Sequence, residues 1–85
     1  MIPNPARGAT DIELSLPAEA AVEAAVYDVS GRRLKSIASG RLRAGTHRLT
    51  WDGRDADGHD APSGVYFVRV DRGAQTEVAR IVRVE

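Results

Sequence analysis

Thr10-Asp11-Ile12-Glu13-Leu14-Ser15-Leu16 alternates without a break. Ile12, Leu14 and Leu16 fall on one side, and Asp11, Glu13 and Ser15 on the other. A period of two with one apolar face is the pattern of a half-buried strand, and Pro17 ends it. Working outward, the same period recurs. Ala20 to Asp28 places Val22, Ala24 and Val26 on one face. Its alanines and glutamates also suit a short helix over Pro17 to Ala25. The continuation Ala25-Val26-Tyr27 favours a strand, and Asp28-Val29-Ser30-Gly31 reads as a turn with Gly31 in the left-handed position.

A third strand is expected over Arg32 to Ala38, then an irregular excursion between Ser39-Gly40 and Ala44-Gly45. Thr46 to Trp51 reads as a fourth, with His47, Leu49 and Trp51 on one face. Asp52 to Gly64 holds Gly53, Gly58, Pro62 and Gly64 and is expected to form a compact loop. Val65 to Asp71 is rich in β-formers, with Tyr66, Val68 and Val70 on one face. Arg72-Gly73 reads as a hairpin turn. Thr76 to Val84 closes the series, with Val78, Val82 and Val84 on one face and Ala79 and Ile81 on the other, so both faces are expected to be partly covered. Pro3-Asn4-Pro5 adds a seventh strand at an edge, where proline is tolerated. Short strands at this spacing, with no strong helix signal, predict an all-β, immunoglobulin- or fibronectin-III-like sandwich of about seven antiparallel strands.

Composition bounds the function. The chain has 85 residues, which allows one domain, 1–85, with a modest core. There is no cysteine, so no disulfide and no thiolate metal site. Twelve basic residues balance twelve acidic ones, which argues against nucleic-acid binding by bulk attraction. Eleven of the twelve basic residues are Arg, and along the chain they are not interleaved with aromatics as in nucleic-acid platforms. No apolar run approaches a membrane span of about 18 residues, so no membrane insertion is expected. Charges segregate along the chain: six basic residues and no acid lie between Gly31 and Arg48, followed by four acids against Arg54 between Asp52 and Asp60. This segregation reads as a solvated sheet surface or as a dipolar docking face.

No catalytic constellation emerges. None of the serines lies in a nucleophile elbow. His47 shares an apolar face, and His59 sits in the polar loop. Asp52, Asp55, Asp57 and Asp60 form a calcium candidate. Registered on Gly58, an EF-hand loop would take its first ligand from Gly53 and its closing one from Gly64, so it fails at both. Asx-turns account for the same aspartates. Trp51 is the expected core anchor, with Asp52-Gly53 ending its strand.

The order of signals resembles a known family. It runs from Pro3-Asn4-Pro5 through Ile12 to Pro17, then Val26-Tyr27-Asp28-Val29-Ser30-Gly31-Arg32-Arg33-Leu34. Ala44-Gly45-Thr46-His47, Trp51-Asp52-Gly53-Arg54-Asp55, Gly58 and Pro62-Ser63-Gly64-Val65-Tyr66-Phe67 follow. This series resembles the type A C-terminal sorting domain of bacterial type IX secretion substrates. It is also similar to the immunoglobulin-like domain of the flagellar hook-cap protein FlgD. Motif residues carrying the resemblance include Asn4, Pro5, Tyr27, Asp28, Gly31, Trp51, Asp52, Gly53, Gly64 and Tyr66. The resemblance implies a non-catalytic domain without a cofactor, excised from the C-terminus of a larger secreted protein. It would direct an attached cargo through the type IX machinery to the cell surface or beyond. Arg32, Arg33, Arg80 and Arg83 are the expected recognition residues on a sheet face and the terminal strand. The alternative is an assembly module, hook-cap-like or a filament subunit, whose partners are neighbouring subunits met through sheet edges.

Overall fold

The computed structural model describes residues 8–84. They form six strands: β1 Thr10–Leu16, β2 Ala20–Asp28, β3 Arg33–Leu42, β4 Gly45–Trp51, β5 Gly64–Arg72 and β6 Gln75–Arg83. All pairings are antiparallel. β1 pairs with β4 in a two-stranded sheet, which faces a four-stranded sheet of order β3-β2-β5-β6. This is an immunoglobulin-like sandwich with one strand fewer than expected among the described residues. The expected seventh, over Pro3-Asn4-Pro5, lies outside them.

The alternation decides which faces meet. In β1 burial alternates at every residue, with Thr10, Ile12, Leu14 and Leu16 inside. The register Thr10↔Trp51 through Leu16↔Gly45 sets those side chains beside Leu49 and Trp51 of β4. On the solvent face of the pair, Thr50 Oγ1 donates to Asp11 Oδ1 at 2.8 Å. The opposing sheet contributes Val22, Ala24 and Val26 from β2, Tyr66, Val68 and Val70 from β5, and Ile81 from β6. Interdigitation of the two inner faces is the stabilising contact of such a sandwich.

The Ala-rich segment is a strand, not a helix. β2 is an interior strand, bonded to β3 on one side and β5 on the other. Helix propensity is a weak prior, and pairing on both sides overrides it.

β3 is longer than the sequence suggests. The excursion expected after Ala38 is instead strand through Leu42, because Ser39, Gly40, Arg41 and Leu42 find partners in Glu23, Val22, Ala21 and Ala20. The ion pair Arg41–Glu19 at 3.0 Å holds that end. Two register shifts, between Ala24/Ala25 and between Val26/Tyr27, show where β3 carries extra residues. The hairpin after β5 turns on Gly73-Ala74, one residue later than expected, and Arg72 pairs with Gln75. In β6 the inward face carries Ala79 and Ile81, the latter wholly buried. Val78 on the other face is 61% exposed, so nothing in the described chain covers it.

Candidate functional site at the loop end of the sandwich

Three strands deliver side chains to one end of the barrel-like core. β4 ends on Trp51, which is wholly buried. Tyr66 of β5 lies against it, ring centroids 5.3 Å apart at 58°. Arg83, near the end of β6, folds back so that its guanidinium carbon lies 5.2 Å from the centre of the Trp51 ring. This is cation–π geometry between the two sheets. Both aromatic donors find backbone partners: Trp51 Nε1 donates to the Arg54 carbonyl at 2.9 Å, and Tyr66 Oη donates to the Pro62 carbonyl at 2.6 Å, while Arg83 Nε is buried without a hydrogen-bond partner among the described residues. Arg83 Nη1 donates to the Gly8 carbonyl at 2.8 Å. Burial pushes the Tyr66 phenol above its usual 10.0, and Arg83 opposes that shift.

Gly53 explains how Arg83 gets in. Its φ is +81°, and a Cβ there would stand 2.5 Å from Arg83 Nη1. The glycine therefore serves both the turn and the cation's seat.

Two loops at this end share one design. Asp28 accepts at Oδ1 from the backbone N–H groups of Ser30 (2.9 Å) and Arg32 (3.0 Å), and from Ser30 Oγ (2.6 Å). Gly31 N–H donates to the Asp28 carbonyl at 3.0 Å, and Asp28 N–H to the Arg32 carbonyl at 3.0 Å. In the acidic loop, Asp55 Oδ1 accepts from the N–H groups of Asp57 (2.9 Å) and His59 (3.0 Å). Gly58 N–H donates to the Asp55 carbonyl at 3.1 Å, and Asp55 N–H to the His59 carbonyl at 2.9 Å. Gly31 and Gly58 have φ of +86° and +85°. Each is a three-residue hairpin loop closed by a left-handed glycine, with an Asx-turn at its first corner. Asp-x-Ser-Gly and Asp-x-Asp-Gly thus write the same turn twice. The loops touch where Ala56 N–H donates to the Leu34 carbonyl at 2.9 Å. Between them lies a shallow cavity of about 310 Å³, lined by Asp28, Ser30, Arg32, Asp55, Asp60 and Tyr66 among others.

The carboxylates here serve the backbone or nearby cations. Ser30 Oγ and the Arg32 N–H hold Asp28 below its usual range. The His59 and Asp57 N–H groups do the same for Asp55. Lys35, at 2.9 Å, and the Arg54 N–H lower Asp52. Asp60 pairs with Arg54 at 3.2 Å. The four aspartates grouped by sequence therefore do not converge. Asp55, Asp57 and His59 do approach, with one ligand atom of each within 4.8 Å of the others, but one oxygen of Asp55 is already bonded to the turn.

The four arginines marked by sequence are split. Arg32 pairs with Asp28 at 3.4 Å. Arg33 and Arg80 lie on the outer face of the four-stranded sheet, in register with Tyr27 and Phe67 respectively. Arg83 is a core-side residue over Trp51. Gly64 starts β5, while Asn4 and Pro5 lie outside the described residues.

The profile of the FlgD Ig-like domain matches residues 4–75. The chain belongs to this FlgD-like immunoglobulin family. It is 41% identical over 59 residues to the basal-body rod modification protein FlgD of Salmonella typhimurium strain LT2, covering 69% of this chain and 25% of that protein. It is 43% identical over 49 residues to FlgD of Escherichia coli K12, covering 58% and 21%. The chain therefore spans about a quarter of the length of these relatives. Among solved structures, FlgD of P. aeruginosa superposes with a TM-score of 0.64 at 28% identity, covering 85% of this chain and 58% of that one. PorZ, a bacterial surface component of the type IX secretion system of Porphyromonas gingivalis, gives 0.67 at 27% identity, covering 98% and 11%. The family match ends at residue 75, where β6 begins.

Two outcomes follow for this end of the molecule. Gly53→Ala will destabilise the fold by about 1–2 kcal/mol, because the strained φ and the displaced guanidinium add, and a thermal melt will show it. Acid will weaken the fold. Asp28, Asp52, Asp55 and Asp71 all have folded values below 3.8, Asp71 mainly through Thr76 Oγ1. Their contribution is present above the unfolded value and is lost as pH falls through the folded ones. The melting temperature will therefore drop below about pH 4, and less so in an Asp28→Asn, Asp55→Asn variant, which keeps the Asx-turns without the titration.

Proposed function

We propose that the domain is a non-catalytic assembly module that joins neighbouring protein subunits outside the cell or at its surface. Family membership with FlgD carries this reading. β3, at one edge of the large sheet, is interrupted by two register shifts and carries Arg33, Lys35 and Arg41, devices that discourage strand addition. Contact with neighbouring subunits is therefore expected through side-chain surfaces rather than by strand pairing at β3.

A second reading, the type IX sorting signal that the sequence resemblance implies, is favoured by one observation. The likeness to PorZ covers 98% of the chain and so extends through β6, beyond the family match. Under that reading β6 is part of what the secretion machinery recognises.

Replacement of the matching 59-residue stretch in Salmonella FlgD by the corresponding residues of this chain tests assembly. Swimming in soft agar is expected to persist. Loss of motility with a folded, normally abundant chimera rules the assembly reading out. Fusion of the 85 residues to a reporter in a type IX-competent host tests the second reading: surface delivery supports it, and retention of a folded fusion inside the cell removes it.

A further inference from the structure

The outer face of the four-stranded sheet breaks the apolar-in, polar-out rule for a sheet with one solvated side. On β5 both the inward and outward positions are apolar from Val65 to Val68. Register aligns the outward residues in rows. One row crosses all four strands as Arg33, Tyr27, Phe67, Arg80, since Arg33 pairs with Tyr27, Tyr27 with Phe67, and Phe67 with Arg80. Val65 and Val82 lie on one side of it, and Arg69 and Val78 on the other. Two neighbouring aromatics flanked by arginines, with valines above and below, have the composition of an interface centre.

The charges on this face are Arg33, Arg41, Arg69, Arg80, Glu23 and Asp71, of which Arg41 is paired with Glu19 at 3.0 Å. Asp71 lies 3.2 Å from Arg69 and neutralises it. Arg33 has no ion-pair partner among the described residues. The complementary charge is on the same molecule. The exposed loop Asp55–Asp60 carries Asp57, whose carboxylate also has no ion pair among the described residues, and Asp60, whose side chain is 82% exposed. The Ala56–Leu34 hydrogen bond holds that loop next to the residue after Arg33. Loop and row thus occupy adjoining walls at one end of the domain. A two-fold axis near that end sets each loop against the partner's row, giving the contact twice.

We propose that this arginine-flanked aromatic row docks the acidic Asp55–Asp60 loop of a second copy of the chain in a two-fold pair. The inference rests on the assembly reading and names its surface. Four strands give a face about 15 Å wide, and three rows make it about 14 Å tall. That is well below a standard interface, so the pair is a weak one, with a dissociation constant on the order of 100 µM.

Sedimentation equilibrium of the 85-residue chain at concentrations up to about 1 mM, in low salt, will show the mass rising from monomer to dimer, and about 0.5 M salt will weaken the association. Arg33→Glu and Asp57→Lys will each weaken it about tenfold, and the two in one chain will restore it, because the new charges face each other across the axis. Circular dichroism checks that each variant is folded. A monomer at every concentration overturns the proposal. So does a dimer that neither variant weakens. Either result, with a motile FlgD chimera, removes the face and leaves the assembly reading standing. Fluorescence polarisation with a single-stranded DNA oligonucleotide provides the other arm: binding by a monomeric chain that Arg33→Glu abolishes assigns the row to nucleic acid and likewise overturns the pair.

Discussion

The stack of Arg83 on Trp51 is the constraint around which the rest of the domain is organised. Trp51 belongs to the two-stranded sheet, while Tyr66 and Arg83 belong to the four-stranded one. Two strands facing four leave the small sheet with little area to hold its partner, and a large aromatic clamped from the other sheet compensates. A cation in that place is unusual because removing it from water is costly. Here the indole face and the Gly8 carbonyl replace part of its hydration. Gly53 leaves the room, and the loop that follows is shaped around the result.

Most of the fold was legible because a period of two is a direct imprint of a half-buried strand. Ile12, Leu14, Leu16, Leu49, Trp51, Tyr66, Val68 and Val70 all lie inside, as alternation placed them. The turn at Asp28–Gly31 was legible from its residue types. Other features were not, for identifiable reasons. The extension of β3 to Leu42 depends on partners in β2, twenty residues earlier, which no local pattern encodes. Arg83 reads as a surface charge in a terminal strand, and only the tertiary position of Gly53 reveals its seat. The equivalence of the Asp28 and Asp55 loops was available in the Asp-x-x-Gly spacing. The Asx-turn expected of the acidic loop is the one seen at Asp55. Along the chain the arginines stand apart from the aromatics. Strand register brings them together in the row Arg33, Tyr27, Phe67, Arg80, and register is set by the whole sheet.

The family and the two structural likenesses divide the molecule in an informative way. The FlgD match accounts for β1 to β5, together with the turns between them. β6 completes the sandwich in this chain, supplies Ile81 to the core and Arg83 to the stack, and leaves Val78 facing solvent. One strand thus packs through its inner face and presents Val78 on its outer one.

The two irregularities of β3 have a consequence for life at high local concentration. A sheet with two open borders can polymerise in both directions into a continuous cross-β ribbon. With the β3 border bulged and positively charged, strand addition there is discouraged, and a ribbon does not grow through that side. Copies at high concentration are thereby kept from running on into amyloid through β3.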